Sequence, residues 1–175
     1  SMLGEIEADY RRVHERHAAL MRWLADSGAP IPQALQLAAV YTLNDDLQQA
    51  IAEPEPDLDG IRALLAEARN EKIPVEADRL RYAVESDLAE SAKRFQQTPQ
   101  DPERLAELTR QVELARSLPF DVDLWRVQNV FYDRLQTEHP ELRRRADGGD
   151  AAAQARLQEL ADLGEMLRIR VPPVG

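Results

Sequence analysis

The run Leu3-Gly-Glu-Ile-Glu-Ala-Asp-Tyr-Arg-Arg-Val-His-Glu-Arg-His-Ala-Ala-Leu-Met-Arg-Trp-Leu24 decides the fold class. Its Leu3, Ile6, Tyr10, Val13, His17, Leu20 and Leu24 fall at alternating three- and four-residue steps, which lays them in one stripe along an α-helix. The spacing predicts a helix from about Gly4 to Ala25 with that stripe turned inward, stopped by Ser27-Gly28-Ala29-Pro30. Nowhere does the chain alternate apolar and polar residues at period two with β-branched enrichment, so no strand is expected. Composition agrees: alanine (25) and leucine (23) far outnumber Ile plus Val (16), and the unbranched residues lose less rotamer freedom in a helix.

Working outward, breakers divide the remaining chain into further helical segments, about seven in all. Pro32 opens a helix through about Ile51 that is apolar on most faces, and Asn44-Asp45-Asp46 is an abrupt polar step near its end. Asp57 can cap a third helix, about Leu58 to Lys72, which Ile73-Pro74 ends. A fourth runs from about Glu76 to Gln97 with Leu80, Val84, Leu88, Ala92 and Phe95 on one stripe. Asp101-Pro102 caps and opens a fifth. A sixth spans about Val122 to Glu138 and holds Trp125, Phe131 and Tyr132, three of the nine aromatics. His139-Pro140 is read as the start of a separate short basic helix, and Gly148-Gly149-Asp150 stops it and caps the last long one, followed by an extended tail from Arg168. No repeat of tetratricopeptide length is present. The expectation is one all-α, all-helical domain over residues 2–175, without a sheet and with helices two and six inside; Ser1 before Met2 reads as a scar of tag removal.

Charge and residue inventory exclude several functions. The chain of 175 residues has 32 acidic and 22 basic side chains, a formal net charge of −10, which opposes binding to nucleic acid. The basic residues are 20 Arg and only 2 Lys, no polybasic membrane-surface segment stands out, and no membrane contact is expected. Cysteine is absent, which removes disulfides, thiolate metal sites and a cysteine nucleophile. No segment has the length of a membrane span or the apolar core of a signal peptide, so a cytoplasmic location is expected.

Chemistry-bearing patterns are sparse. His14 and His17 share a helix face, but their spacing is not that of a zinc-protease helix, and no Glu stands three residues before a histidine as di-iron sites require. His17 is therefore read as a core histidine, and no metal or other cofactor is expected. There is no nucleophile elbow and no phosphate-cradling glycine loop, so no catalytic residue is assigned and the chain alone is not expected to be an enzyme. Arg143-Arg144-Arg145, with Arg168 and Arg170, form two basic clusters that suit either surface pairing with acids or docking of an acidic partner. In the stretch Ser117 to Tyr132, Trp125, Asn129 and Tyr132 share one helix face while Leu124, Val127, Phe131 and Leu135 occupy another. Such a helix is either internal on both faces or presents its Trp/Asn/Tyr face to a partner or a saccharide.

Six longer stretches carry a resemblance. They are Tyr10 to Leu24, Gly28 to Leu35, Tyr41-Thr-Leu-Asn-Asp-Asp-Leu47, Leu114-Ala-Arg-Ser-Leu-Pro-Phe120, Leu124-Trp-Arg-Val-Gln-Asn129 and Leu163-Gly-Glu-Met-Leu-Arg-Ile-Arg-Val171. Together, from about Glu5 to Pro172, they resemble the C-terminal helical domain of unknown function in bacterial glycoside hydrolase family 57-like proteins of the α-amylase/α-mannosidase type. The resemblance implies a domain cut from the C-terminus of a larger protein, whose catalytic carboxylates belong to an upstream (β/α) barrel that nothing here matches. It implies a non-catalytic accessory role: packing on that barrel and helping to wall a glycan cleft. The expected partners are then the barrel and, at the interface, an α-glucan, with Asn44, Trp125, Gln128, Asn129 and Tyr132 as candidate contact residues. The alternative is a free-standing helical protein-binding module using the basic clusters or the aromatic face; direct carbohydrate binding by the isolated domain is a third reading.

Overall fold

The computed structural model describes residues 2–171, apart from the side chain of Leu3. Among them are seven α-helices and no strand: α1 (Met2–Ser27), α2 (Gln33–Ala52), α3 (Leu58–Asn70), α4 (Ala77–Gln97), α5 (Pro102–Ser117), α6 (Trp125–Asp147) and α7 (Ala151–Leu167). They form two compact units, residues 1–80 and 81–175, with the boundary inside α4. The last four positions of the extended tail read from the sequence lie outside the described residues.

In the first unit α2 is the middle helix, packed against α1 and α3. Its Ala38, Ala39, Leu43, Leu47 and Ile51 are buried. The contact with α1 is closed by polar side chains. Arg11 bridges Asp45 at 2.9 Å and Asp46 at 2.6 Å, Tyr41 Oη donates to Glu7 Oε1 at 2.8 Å, and the rings of Tyr10 and Tyr41 lie 5.3 Å apart. The stripe on α1 departs from expectation. Met21 is buried, but Ile6, Val13 and Leu20 are 44%, 37% and 45% exposed, and His17 is half-buried instead of sitting in a core. The α2 contact covers the flank that carries Glu7, Tyr10, Arg11 and Met21 and leaves the neighbouring flank open.

In the second unit α7 packs against both α5 and α6. Asp101 and Asp150 cap α5 and α7 as their positions predict: Asp101 Oδ1 accepts from Glu103 N, and Asp150 Oδ1 accepts from Ala152 N and Ala153 N. Asp57 does the same for α3 through Asp59 N. That helix ends at Asn70, before Lys72, because Lys72 adopts a left-handed backbone (φ 55°) and Ile73 N donates back to Ala68 O.

Two expectations for α6 are corrected. It does not stop at Glu138: residues 125–147 are one continuous helix with Pro140 inside it. Proline removes one backbone donor and crowds the preceding turn, yet Glu138 and His139 before it and Ala146 after it are buried, so packing on both sides holds the axis through the flaw. Nor is α6 internal. Val127, Phe131 and Leu135 are buried, while Trp125, Asn129 and Tyr132 are exposed. The chain leaving α7 is clamped close by: Arg168 ends the helix in a left-handed conformation and Ile169 N donates to Gly164 O. Gly164 permits that crossing, since a Cβ there would lie 2.5 Å from Val171 Cγ2 and 3.0 Å from Ile169 O.

Candidate interface on the sixth helix

The segment before α6 sets where its exposed face begins. Arg81 Nε donates to the Asp121 carbonyl at 2.9 Å, and its guanidinium lies 5.6 Å from the centre of the Phe120 ring. Glu85 Oε1 accepts from Asp123 N at 3.0 Å, and Asp123 Oδ1 in turn accepts from Trp125 N at 2.9 Å. Two residues of α4 thus fix the loop, and the loop's own carboxylate starts the helix at Trp125, three residues later than the periodicity suggests. Trp125 stands 70% exposed on this anchored turn, and Tyr132, two turns on, is 51% exposed.

Three of the candidate residues are therefore brought together on one open face: Trp125, Asn129 and Tyr132. Gln128 sits at its edge, half-buried, with Nε2 donating to the last helical carbonyl of α7, Leu167 O, at 3.0 Å. It ties α6 to the end of α7 and has less to offer a ligand. Beyond Tyr132 the face continues into a cavity of about 290 Å³ lined by Tyr132, Leu135, Gln136, His139, Pro140 and Arg170. Pro140 has no N–H to give the Gln136 carbonyl, which loses its usual helical partner.

Asn44 is placed differently. It is buried, at 3% exposure, and its amide is engaged at both ends. Nδ2 donates to Val40 O at 2.7 Å and Pro74 O at 3.0 Å, while Oδ1 accepts from Glu76 N at 2.6 Å. Its partners make it the clasp that holds the Ile73–Glu76 connection against α2, a role inside the first unit. A side chain so occupied has no group left for a glycan.

Two of the five clustered arginines, Arg144 and Arg145, are paired within the chain. Arg144 pairs with Glu141, and Arg145 Nε and Nη2 donate to Asp150 Oδ2 at 2.9 and 2.6 Å, which holds the Asp150 carboxyl below the usual range. Arg170 lines the cavity next to Tyr132.

Two buried carboxylates, Glu138 and Glu71, carry no signal in the spacing of the sequence. Glu138 faces Arg134 Nε at 2.5 Å and Arg156 Nε at 3.7 Å, and Arg156 Nη2 donates to Pro99 O at 2.6 Å. This network stitches α6, α7 and the turn before α5. In the first unit, α1 and α3 enclose a cleft of about 710 Å³ lined by Arg22, Asp26, Glu67, Asn70 and Glu71, among others. Burial, and secondly the Glu67 carboxylate, push the Glu71 carboxyl up, with His14 and Arg22 opposing. No group of three or more His, Asp or Glu is placed to hold a metal ion among the described residues, and none of their helices is long and apolar enough to cross a membrane.

In comparisons with known proteins, no protein-family model matches the chain, and no curated protein or solved structure matches it either.

Proposed function

We propose that this chain is a non-catalytic helical accessory domain that docks on the catalytic barrel of a family 57-like glycoside hydrolase through the Trp125–Asn129–Tyr132 face of α6, where it walls a glycan cleft. The observation that carries the reading is the exposure of Trp125, on the turn anchored by Arg81, Glu85 and Asp123, and of Tyr132 two turns on. Large aromatic rings kept in water on a fixed scaffold are characteristic of interface anchors and of saccharide-stacking platforms. The resemblance of the Leu124–Asn129 stretch and its companions supplies the partner. The α6 arginine cluster gives the alternative, a free-standing module for acidic proteins, less support, since Arg144 and Arg145 already have carboxylate partners.

The test begins with the reading frame upstream of Met2. A barrel encoded there, whose glycan hydrolysis falls when the domain carries Trp125→Ala and Tyr132→Ala, is the expected result. The two variants should leave the domain's own stability within about 0.5 kcal/mol, because neither ring is buried. A barrel whose activity and binding ignore both substitutions refutes the docking face. Hydrolysis by the isolated chain, lost on changing one of its own carboxylates, refutes the non-catalytic reading. Maltooligosaccharide titration followed by tryptophan fluorescence, in a Trp23→Phe background so that Trp125 alone reports, separates direct glycan binding from barrel docking.

A further inference from the structure

The open flank of α1 has a pattern of its own. Ile6, Val13 and Leu20 are spaced seven residues apart, which puts them in one line on the helix, and each is more than a third exposed. The charges beside the line are segregated. The turns before Tyr10 carry Glu5, Glu7 and Asp9 and no base, whereas those after it carry Arg11, Arg12, Arg16 and Arg22 against a single acid, Glu15, up to Leu24. Glu7 and Arg11 are engaged with α2. Asp9 pairs only with Arg12 one turn on, at 3.3 Å with both groups in water, and Arg16 forms no ion pair among the described residues. A shallow depression at the middle of the line is bounded by Asp9, Arg12, Val13, Arg16 and His17.

This arrangement is self-complementary about Val13. A two-fold axis through Val13, perpendicular to the helix, sends Ile6 onto Leu20 of another copy and Val13 onto its own equivalent. The same axis brings Asp9 within a turn of the other copy's Arg16, twice. A parallel pair would put the Asp9 and Arg16 flanks of the two copies on opposite edges of the contact, with like residues at the same level, so neither ion pair would form. We propose that α1 pairs antiparallel with α1 of a second copy of this chain, centred on Val13, closing the apolar line and completing two Asp9–Arg16 ion pairs. The interface is isologous, as two-fold dimers require. One helix face lies at the small end of specific interfaces, so association is expected from roughly 10–100 µM upward.

The absence of cysteine makes the geometry directly testable. Residues 6 and 20 are separated by about 21 Å along one helix, far beyond disulfide reach, but face each other across the proposed axis. Ile6→Cys protein mixed with Leu20→Cys protein should cross-link under mild oxidation, and neither variant should cross-link with itself. Sedimentation equilibrium of the unaltered chain should show the mass rising with concentration from 19.8 kDa toward twice that value. Asp9→Arg and Arg16→Asp should each weaken the dimer about tenfold, and the two together in one chain should restore it. All four positions are at the surface, so folding is not at stake, and circular dichroism verifies it. Self-cross-linking of either cysteine variant, a mass that stays at the monomer value at every concentration, or a double charge swap no better than the single ones overturns the proposal.

Discussion

Replacing Asn44 by alanine is the sharpest test of the division between structural and surface residues. The side chain supplies three hydrogen bonds, but the one to Val40 O goes to a carbonyl that the α2 ladder also uses, so its loss is the cheapest. The other two are irreplaceable in place: Pro74 O loses its donor and Glu76 N its acceptor. At about 1 kcal/mol for each net bond, with an added penalty where a partner stays dry, Asn44→Ala should destabilise the protein by about 2–4 kcal/mol. For a chain of this size that corresponds to a fall in melting temperature of roughly 5–15 °C. Urea titration gives the energy, and amide hydrogen exchange places it, because the Glu76 N–H should lose protection before the core of α2 does. Asn44→Asp is the control that separates chemistry from volume. The new carboxylate can still accept from Glu76 N, but it turns an acceptor toward Val40 O and Pro74 O, so at neutral pH it should be at least as harmful as alanine. Its folded-state pKa is raised by those two carbonyls, so stability should recover as pH falls and the carboxyl regains a proton to donate. A loss under about 0.5 kcal/mol on Asn44→Ala, with Glu76 protection unchanged, refutes the clasp.

Two further outcomes follow from the packing. Pro140→Ala should stabilise the chain by about 1–3 kcal/mol, since the backbone at that position is already helical and alanine restores the donor to Gln136 O; an unchanged or lower urea midpoint contradicts the account of α6. Glu71→Gln should raise the melting temperature at pH 7 and leave it little changed near pH 4. The native state holds the Glu71 proton at pH values where the unfolded chain has released it, so that group's contribution falls as pH rises from the ordinary glutamate range through the raised native value. A variant that melts lower than the parent at pH 7 shows that the charged form makes a favourable contact instead.

What the sequence discloses here divides along local and non-local lines. The caps were legible because a cap is a local device: Asp57, Asp101 and Asp150 each bond to amides two or three residues ahead. Helix type was legible for the same reason, from the spacing of apolar residues. Asn44 could be seen as a polar interruption in an apolar helix, but its meaning lies in Pro74 and Glu76, some thirty residues away, which no spacing rule reaches. Glu138 is a similar case, with Arg156 and Gln100 as distant partners. Pro140 reads as a helix start because propensity alone weighs a missing donor and ignores the buried side chains that hold the helix on either side of it. On α6 the periodicity separated the two faces correctly but could not say whether the aromatic one was covered, and the exposure of Trp125 answers that.

The same limit explains α1 and sharpens what its exposed line implies. Seven apolar or half-apolar positions at helical spacing define a stripe about 100° wide, whereas contact with one neighbouring helix covers only part of such an arc. In this chain α2 covers the flank that bears Tyr10, Arg11 and Met21, and the polar links from Arg11 to Asp45 and Asp46 fix that rotation. Ile6, Val13 and Leu20 are then displaced outward as a set, so their exposure follows from ion-pair geometry and not from an irregular helix. A line left open in this way would be a liability if any apolar surface could cover it. The segregated charges beside it restrict the occupant to one with the opposite order of acids and bases, and an antiparallel copy of α1 has that order by symmetry. The apolar residues account for why the flank associates, and Asp9 and Arg16 for which partner and which direction. The charge-swap pair tests that second half independently of the first.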